Sequence, residues 1–346
     1  MKFNVDSKYL LDCFKEIVSV PSPTEFYVRL NPVLKKYAES LGYEMTFDRR
    51  NNAYITIDGE DNSKTVLLSA HADTVGLMVR KIDGDGALRI RSIGGINLST
   101  LDGETVTVHT REGKDYTGLF LCQSYSTHVF ADALTLERSE KTMMILLDEK
   151  VKSKADAMAL GIRPGDFVSI DPRCQITENG YIKSRFIDDK GAIACCFAAL
   201  KYMNENGLKP KFKTIFQFPY AEELGFGGCY IPEGVSEVVG IDIGLIGPEL
   251  DGDEFSVSIC AKDASQVYDY DITNKLIDLA KKAECDYAVD VYFRYGSDVG
   301  AARRGGNDIK GGLFGMAVYG SHGMERTHID GLLNTANLLL AYVLDI

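Results

Sequence analysis

The stretch TVLLSAHADTVGLMV, residues Thr65–Val79, contains the features that decide the fold. Thr65–Ala70 is a compact apolar run of strand length, and it leads directly into His71-Ala-Asp73. From Gly76 to about Ile176, short β-like segments alternate with Gly- and Asp-rich turns. Because frequent turns between short strands are typical of a small barrel or sandwich, the change at Gly76 predicts the start of a β-rich insert.

On both sides of this insert, segments with helical spacing of apolar residues alternate with short strands. We predict helices at Leu10–Val18, Glu25–Ser40, Lys190–Asn206, Ile272–Glu284 and Leu332–Leu344. The fold class is therefore α/β: a mixed-sheet α/β/α domain of residues 1–75 and 177–346, interrupted by a small β-barrel-like domain of residues 76–176. Within the insert, His109 is predicted to be an exposed strand residue.

Acidic and imidazole side chains occur at several points where a predicted strand ends and a loop begins. In α/β sheets these ends are where ligands bind. A lone histidine is more often a hydrogen-bonded structural residue, and a lone acidic pair is more often a solvated turn. Their joint placement nevertheless indicates one site, which would include His71-Ala-Asp73, Asp188-Asp-Lys190, Glu222-Glu223, Asp242 and Ser321-His322-Gly323.

Imidazole and carboxylate ligands without thiolates suit zinc, cobalt or manganese, and a pair of ions needs a carboxylate to bridge it. Asp73 can accept the second N–H of the His71 imidazole, which fixes the tautomer of that ring. Glu222 and Glu223 diverge in an extended turn, so one can bind metal while the other faces an attacking water. That divergence argues against a glycosidase, whose two carboxyl groups must face each other.

Six stretches, taken in order, resemble the M42 family of metallo-aminopeptidases along almost the whole chain. They are AHADTVGLMV (70–79), MMILLDEKVKSKADAMALGIRPGD (143–166), KSRFIDDKGA (183–192), AEELGFGG (221–228), VVGIDIG (238–244) and GSDVGAA (296–302). The position of the insert, between Asp73 and Asp188, is also as in M42 members. In relatives of the M20 deacylase type, the lid domain lies between the fourth and fifth ligands, and the short gap from Asp242 to His322 leaves no room for it.

The resemblance implies a role for each matching residue. Asp188 would bridge two divalent ions, Glu222 would be the general base, and Asp73 would orient His71. The remaining metal ligands would be His71, Glu223, Asp242 and His322. Asp298 and Lys262 are candidates for the substrate-binding pocket, and a loop cap is an equally good explanation of Asp298.

Three departures from the family pattern bear on specificity. The family usually has Glu at the position of Thr74 and Arg at that of Lys190. Around the last ligand it reads Tyr-x-His-Ser-Pro, whereas this chain reads YGSHGMERTH from Tyr319 to His328. We favour His322 as the last ligand because it follows a predicted strand directly, and His328 is the alternative.

The resemblance implies that the chain hydrolyses N-terminal residues of short peptides with a free N-terminus, with Glu222 activating a hydroxide shared by the two ions. It also implies dimers, formed through the insert, that build a dodecamer. Two alternatives remain open. One is an M20-like deacylase or carboxypeptidase that uses the same metals, and the other is a catalytically inactive metal-binding paralogue.

Composition restricts the partners and the compartment. The net charge of −12, from 50 acidic and 38 basic residues, argues against nucleic-acid binding because phosphates would be repelled. The eight cysteines are scattered without a C-x-x-C pair, as expected of reduced thiols in the cytosol. Residues 1–10 lack an apolar signal core, and no apolar run reaches the length of a membrane span. We predict a cytoplasmic protein without membrane contact.

Overall fold

The structure, a computed structural model, describes residues 2–346. It divides into two compact units. The larger unit comprises the chain up to Asp73 together with Arg173–Ile346, and the smaller unit is Thr74–Pro172. The predicted boundaries, after residues 75 and 176, lie a few residues from these.

The described part of the chain contains seven α-helices and eighteen strands. The helices are α1 (Ser7–Val18), α2 (Asn31–Ser40), α3 (Lys154–Ala159), α4 (Ile187–Glu205), α5 (Tyr270–Lys282), α6 (Asp298–Arg304) and α7 (Ile329–Leu344). The first nine strands are β1 (Thr46–Phe47), β2 (Ala53–Ile57), β3 (Asp61–Ser69), β4 (Gly76–Ile82), β5 (Leu88–Ile93), β6 (Glu104–His109), β7 (Asp115–Cys122), β8 (Met143–Leu147) and β9 (Phe167–Ile170). The others are β10 (Gln175–Ile176), β11 (Tyr181–Ser184), β12 (Phe212–Phe218), β13 (Val235–Ile241), β14 (Gly244–Leu245), β15 (Val257–Lys262), β16 (Tyr287–Val291), β17 (Lys310–Val318) and β18 (Glu325–His328).

A nine-stranded mixed sheet forms the centre of the larger unit. Its main path runs β1-β2-β12-β3-β13-β17-β15-β16, and β14 pairs with β17. The central strands β12, β3, β13 and β17 are all parallel, whereas β2 runs antiparallel to β12 and β15 runs antiparallel to β17. The carboxyl ends of four adjacent strands therefore meet at one edge of the sheet.

Helices cover both faces of this sheet, so its central strands are apolar on both sides. Two neighbouring glycines of β17 show that each face of the sheet is covered by a helix. A Cβ atom on Gly311 would meet Val299 of α6, and one on Gly312 would meet Ile272 of α5. Because successive residues of a strand point to opposite faces, α5 and α6 lie on opposite sides of the sheet. The predicted mixed α/β fold is confirmed.

The smaller unit is a closed antiparallel barrel of six strands in the order β4-β5-β8-β7-β6-β9. Closure leaves no free strand edge, which is how small β units avoid unpaired backbone groups. The barrel-like insert was predicted and is confirmed. His109 lies in strand β6 as predicted, but the prediction that it is exposed is wrong, because its side chain is buried and contacts Asp115 at 2.9 Å and Ser169 at 2.8 Å.

The second predicted helix begins later than expected. The sequence predicts a start at Glu25, but α2 begins at Asn31, with Pro32 in its first turn. Proline is tolerated in the first helical turn and disrupts a helix interior, so Pro32 is a start signal. Among the helices of residues 2–346, none is long and apolar enough to cross a membrane.

Candidate metal centre

Four of the predicted site segments follow the four parallel central strands. His71 comes two residues after β3, Asp242 directly after β13, and Glu222 opens a short 3₁₀ turn after β12. His322 lies in the loop between β17 and β18. The sheet order therefore brings these side chains to one edge of the larger unit.

Asp188 reaches the same place from the start of α4. The backbone at Asp188 and at Asp189 departs from helical geometry, with ψ angles of 103° and 27°. Oδ1 of Asp188 lies 2.9 Å from Nε2 of His71, and Oδ2 lies 3.6 Å from Nε2 of His322. The two oxygens of one carboxylate thus face two different imidazoles.

Two overlapping groups of side chains place possible metal-ligand atoms within 4.8 Å of one another. One group is His71, Asp188 and Glu223, and the other is His71, Asp189 and Asp242. In addition, Nε2 of His322 lies 3.3 Å from Oε2 of Glu223. The structure therefore brings together all five residues that the sequence analysis named as metal ligands, and it adds Asp189.

Close packing of two strands allows Asp242 to join this group. A Cβ atom on Gly315 of β17 would lie 1.9 Å from the backbone oxygen of Asp242. No side chain fits in that space, so glycine is required where the loop after β13 passes over β17. The amide of Asp242 in turn donates to the carbonyl oxygen of Phe314 at 3.1 Å.

Asp73 links His71 to the Glu222-Glu223 turn. Nδ1 of His71 is 2.9 Å from the backbone oxygen of Asp73 and 3.6 Å from its Oδ1. The Asp73 carboxylate accepts hydrogen bonds from the amides of Glu222 at 3.1 Å and Glu223 at 3.3 Å. It also accepts one from the Thr24 hydroxyl at 2.7 Å. Asp73 thus fixes the backbone of both glutamates. The atom of Asp73 at hydrogen-bond distance from His71 is the backbone oxygen and not the carboxylate that the sequence analysis predicts.

Glu222 lies near the same ring nitrogen of His71 that faces Asp188. Its Oε2 lies 3.8 Å from Nε2 of His71, and its side chain is 15% exposed. The Glu223 side chain is only 3% exposed. One member of the pair is therefore packed against Asp188 and His322, while its neighbour retains access from solvent.

Burial and mutual repulsion dominate the electrostatics of this group. Burial raises the pKa of Glu222 and of Glu223 well above the usual range, and neighbouring carboxylates add to the effect. Burial, followed by the charge of Asp188, raises the pKa of Asp242 to about 7. At Asp188 burial acts in the same direction, but the hydrogen bond from His71 together with the charges of His71 and His322 outweighs it and lowers the pKa. A positive charge close to these crowded carboxylates stabilises their ionised form.

The donor set fits divalent cations. It combines imidazole nitrogens with carboxylate oxygens and contains no thiolate, which is the ligand chemistry of zinc, cobalt and manganese. Oδ1 of Asp189 is buried and has no hydrogen-bond partner among residues 2–346. A buried carboxylate oxygen without a donor is costly unless a cation or another group satisfies it.

His328 does not belong to this group. Its Nε2 contacts the carbonyl oxygen of Asn179 at 2.7 Å, and its Nδ1 accepts from the amide of Asp330 at 3.1 Å. The side chain thereby caps the N-terminus of α7. Both ring nitrogens are engaged in these structural contacts, so His322 is the histidine that the structure places beside the carboxylates.

The two predicted substrate-binding residues differ in position. Asp298 is buried at the start of α6, where its Oδ2 accepts from the Ser69 hydroxyl at 2.8 Å. Lys262 is exposed and donates to the carbonyl oxygen of Asp263. Since β15 runs antiparallel to β17, its end at Lys262 points away from the edge that carries the metal-ligand candidates. The structure does not bring Lys262 to the site.

The sequence profile of the M42 glutamyl aminopeptidase family matches residues 51–338, which is most of the chain. The chain belongs to the M42 peptidase family. M42 members are metal-dependent peptide hydrolases, and this chain is accordingly a peptide hydrolase. The profile match covers all five metal-ligand candidates as well as Glu222 and Asp73.

Similar proteins agree with this assignment. YhfE of Bacillus subtilis, a protein named as an aminopeptidase, is 40% identical over 334 residues, which cover 96% of each chain. Glutamyl aminopeptidase of Lactococcus lactis is 22% identical, again with 96% of each chain covered. Among solved structures, an aminopeptidase from the archaeon Desulfurococcus kamchatkensis superposes with a TM-score of 0.88 at 20% identity, covering 98% of this chain and 96% of that one. The dodecameric PhTET1-12s has a TM-score of 0.84 at 21% identity, with 97% and 99% covered.

Sequence reasoning missed three residues of this M42 site. Asp189 was passed over because it stands beside Asp188, and a pair of adjacent acids does not indicate which member points inward. Thr24 lies far away in sequence, and nothing local links it to Asp73. Glu325 lies three residues after His322 in the quoted stretch, and this short spacing was the available signal.

Proposed function

We propose that this M42 protein is a two-metal aminopeptidase that removes N-terminal residues from short peptides. The observation that carries the proposal is the position of Asp188, whose two oxygens face His71 and His322. A neutral imidazole has one free ring nitrogen and binds one cation, whereas a carboxylate can bind two. Asp188 would therefore bridge the pair, with His71 and Asp242 on one side and Glu223 and His322 on the other.

Two divalent cations held in this way would supply Lewis acidity, lowering the pKa of a shared water and polarising the scissile carbonyl. The identity of the metal, whether zinc, cobalt or manganese, is left open by the donor set. Side chains of the protein would carry out the proton transfers and bind the peptide.

Glu222 would act as the general base. It would accept a proton from the attacking water as the water oxygen bonds to the carbonyl carbon, and would return the proton to the amine as the C–N bond breaks. Its burial favours this role, because a raised carboxyl pKa lies closer to neutral pH. Asp73 would keep Glu222 in place through its hydrogen bond to the Glu222 amide.

Asp298 would bind the free amino group of the peptide. Its Oδ1 is buried without a hydrogen-bond partner among the described residues, and a cationic amine would satisfy it. A Cβ atom on Gly227 would lie 2.4 Å from that oxygen, so the segment after Glu222 runs directly past Asp298. This proximity supports recognition of an N-terminus next to the proposed base.

The deciding experiment compares aminoacyl anilides with their N-acetylated counterparts after loading the protein with cobalt, zinc or manganese. Hydrolysis of the free-amine series alone supports the proposal. Preference for N-acyl amino acids would make the chain an M20-like deacylase. Absence of bound metal by elemental analysis, together with no hydrolysis of either series, would favour an inactive paralogue.

We further propose that the smaller unit mediates dimers that assemble into a dodecamer. Support comes from the fold likeness to dodecameric PhTET1-12s and from exposed apolar side chains on the smaller unit, including Val129 and Leu134 at 66% and 83% exposure. Light scattering after size exclusion tests this, and a stable monomer would contradict it. The cytoplasmic location stays a prediction from sequence.

A further inference from the structure

One buried carboxylate beside the proposed metal ligands has no role in the mechanism described above. Glu325 opens β18, and only 2% of its surface is exposed. Its Oε2 accepts from the amide of Asp188 at 3.0 Å, and its Oε1 accepts from the amide of His322 at 3.2 Å. Each oxygen thus holds the backbone of a different proposed ligand.

Both amides need such an acceptor. The Asp188 amide lies at the start of α4, where the first N–H groups have no partner within the helix. His322 has a positive φ of 60°, a left-handed conformation that is uncommon for residues other than glycine. Conformations of this kind persist only where the surroundings fix them. The hydrogen bond that the His322 amide donates to Glu325 is one such constraint.

The topology explains how one residue reaches both ligands. Glu325 pairs directly with Ser184 of β11, and the chain runs from that strand into Asp188. On its other side, Glu325 closes the loop that carries His322, where Tyr319 and Arg326 exchange backbone hydrogen bonds of 2.9 and 3.1 Å. Glu325 therefore lies where the two ligand-bearing segments meet.

We propose that Glu325 is a positioning residue that sets the separation of Asp188 and His322 and thereby the affinity for one of the two cations. The inference rests on the proposed function, which makes these two residues metal ligands. Of the two amides that Glu325 holds, that of Asp188 belongs to a residue that would serve both cations, whereas that of His322 belongs to a residue that would serve only one. The cation held by Glu223 and His322 should accordingly depend on it far more than the other.

The hydrogen-bonding chemistry of the Glu325 side chain suggests a variant that tests this proposal directly. A carboxylate offers an acceptor to each amide, whereas the isosteric Glu325→Gln offers one acceptor and one donor. The substitution keeps the volume of the side chain. The glutamine oxygen can accept from one of the two backbone amides, but the glutamine NH₂ group then faces the other amide, and two donors cannot form a hydrogen bond. Glu237→Gln is the matched control, since Glu237 is also a buried carboxylate of the larger unit but bonds to Tyr342 and Lys64.

The test is titration of the metal-free protein with Co²⁺, followed by calorimetry and by visible absorption, which reports the coordination of each ion. Wild type and Glu237→Gln should bind two ions alike. Glu325→Gln should bind one ion at least tenfold more weakly, change the absorption of that ion, and leave the other within about threefold. Combined with His322→Ala, it should add little further loss, because both act on the same ion.

Glu325→Asp provides a second variant that keeps the charge and withdraws both oxygens by one methylene, and it should weaken the same ion. The proposal is overturned if folded Glu325→Gln or Glu325→Asp binds both ions with wild-type affinity and absorption. It is also overturned if both ions weaken equally. Failure of wild type to bind two ions would instead refute the proposed function, so the two failures are distinguishable.

Discussion

Nε2 of His71 lies 2.9 Å from Oδ1 of Asp188, although 117 residues separate them in the sequence. The contact joins the end of β3 to the start of α4, so it exists only in the folded larger unit. An imidazole nitrogen and a carboxylate oxygen are both ligand atoms that divalent cations prefer. Metal binding at this pair should therefore be coupled to the stability of the whole unit.

Removal of divalent ions should lower the melting temperature and abolish hydrolysis, because the carboxylates around Asp188 lose their positive partners. Ligand present at 100 times its Kd contributes about 2.7 kcal/mol to stability. Thermal unfolding with a chelator and then with added Co²⁺ measures the shift. His71→Ala should abolish most of the shift, and an unchanged melting temperature with full activity in chelator would contradict metal dependence.

Glu222→Gln should reduce kcat by roughly 10²- to 10⁴-fold, the usual contribution of a general base. Both metal ions should remain bound, because Glu222 is proposed to face the water and not to hold a cation. Steady-state kinetics and elemental analysis of the same sample make the comparison. Glu237→Gln serves as the control with normal turnover. Near-normal turnover of Glu222→Gln would remove the role assigned to this residue.

Replacement of His322 and replacement of His328 should have different effects on metal content and stability. His322→Ala should lose one of the two metal ions, since this imidazole lies beside Glu223 and Asp188. His328→Ala should keep both ions but lose about 0.5–2 kcal/mol of stability, as expected for a missing N-cap. Metal content and urea unfolding of the two variants decide between them. Loss of metal in His328→Ala alone would reverse the assignment.

The part of this site that could be predicted from sequence consists of residues that directly follow strands. Apolar runs such as Thr65–Ala70 reveal where strands end, and the rule for parallel sheets then places His71 and Asp242 at one edge. No contact information is needed for that step. The resemblance to the M42 family added the roles, which strand ends alone do not provide.

Contacts between distant segments could not be predicted in the same way. The strand Met143–Leu147 is a continuous apolar run, which period alone does not distinguish from a buried helix. The burial of His109 depends on closure of the barrel between β6 and β9, a pairing without a local signal. Glu325 is an ordinary acidic residue in sequence, and only the pairing of β11 with β18 brings it to Asp188.

Lys190→Met should destabilise the protein by about 1–3 kcal/mol without changing its metal content. The buried Nζ of Lys190 donates to the carbonyl oxygens of Ile17 at 3.2 Å and Val20 at 2.8 Å, where α1 ends. Loss of a buried hydrogen-bonding partner has a cost of this size. Lys201→Met on the same helix is the control, because Lys201 makes surface ion pairs worth less than about 1 kcal/mol. Equal stabilities of the two variants in urea would contradict this structural role.

Asp298→Asn should weaken recognition of the peptide amine while preserving the shape of the site. Burial raises the pKa of Asp298 to about 6, so at neutral pH the carboxylate is mostly charged and can pair with an ammonium group. A hydrogen bond to a charged group contributes about 1.5–3 kcal/mol, which corresponds to roughly tenfold or more in affinity. Competitive inhibition by a peptide analogue with a free amine, and by the same analogue without the amine, isolates this contribution. The variant should bind the first at least tenfold more weakly and the second as well as wild type does. If both analogues weaken equally, Asp298 supports the site through Ser69 and does not bind the amine.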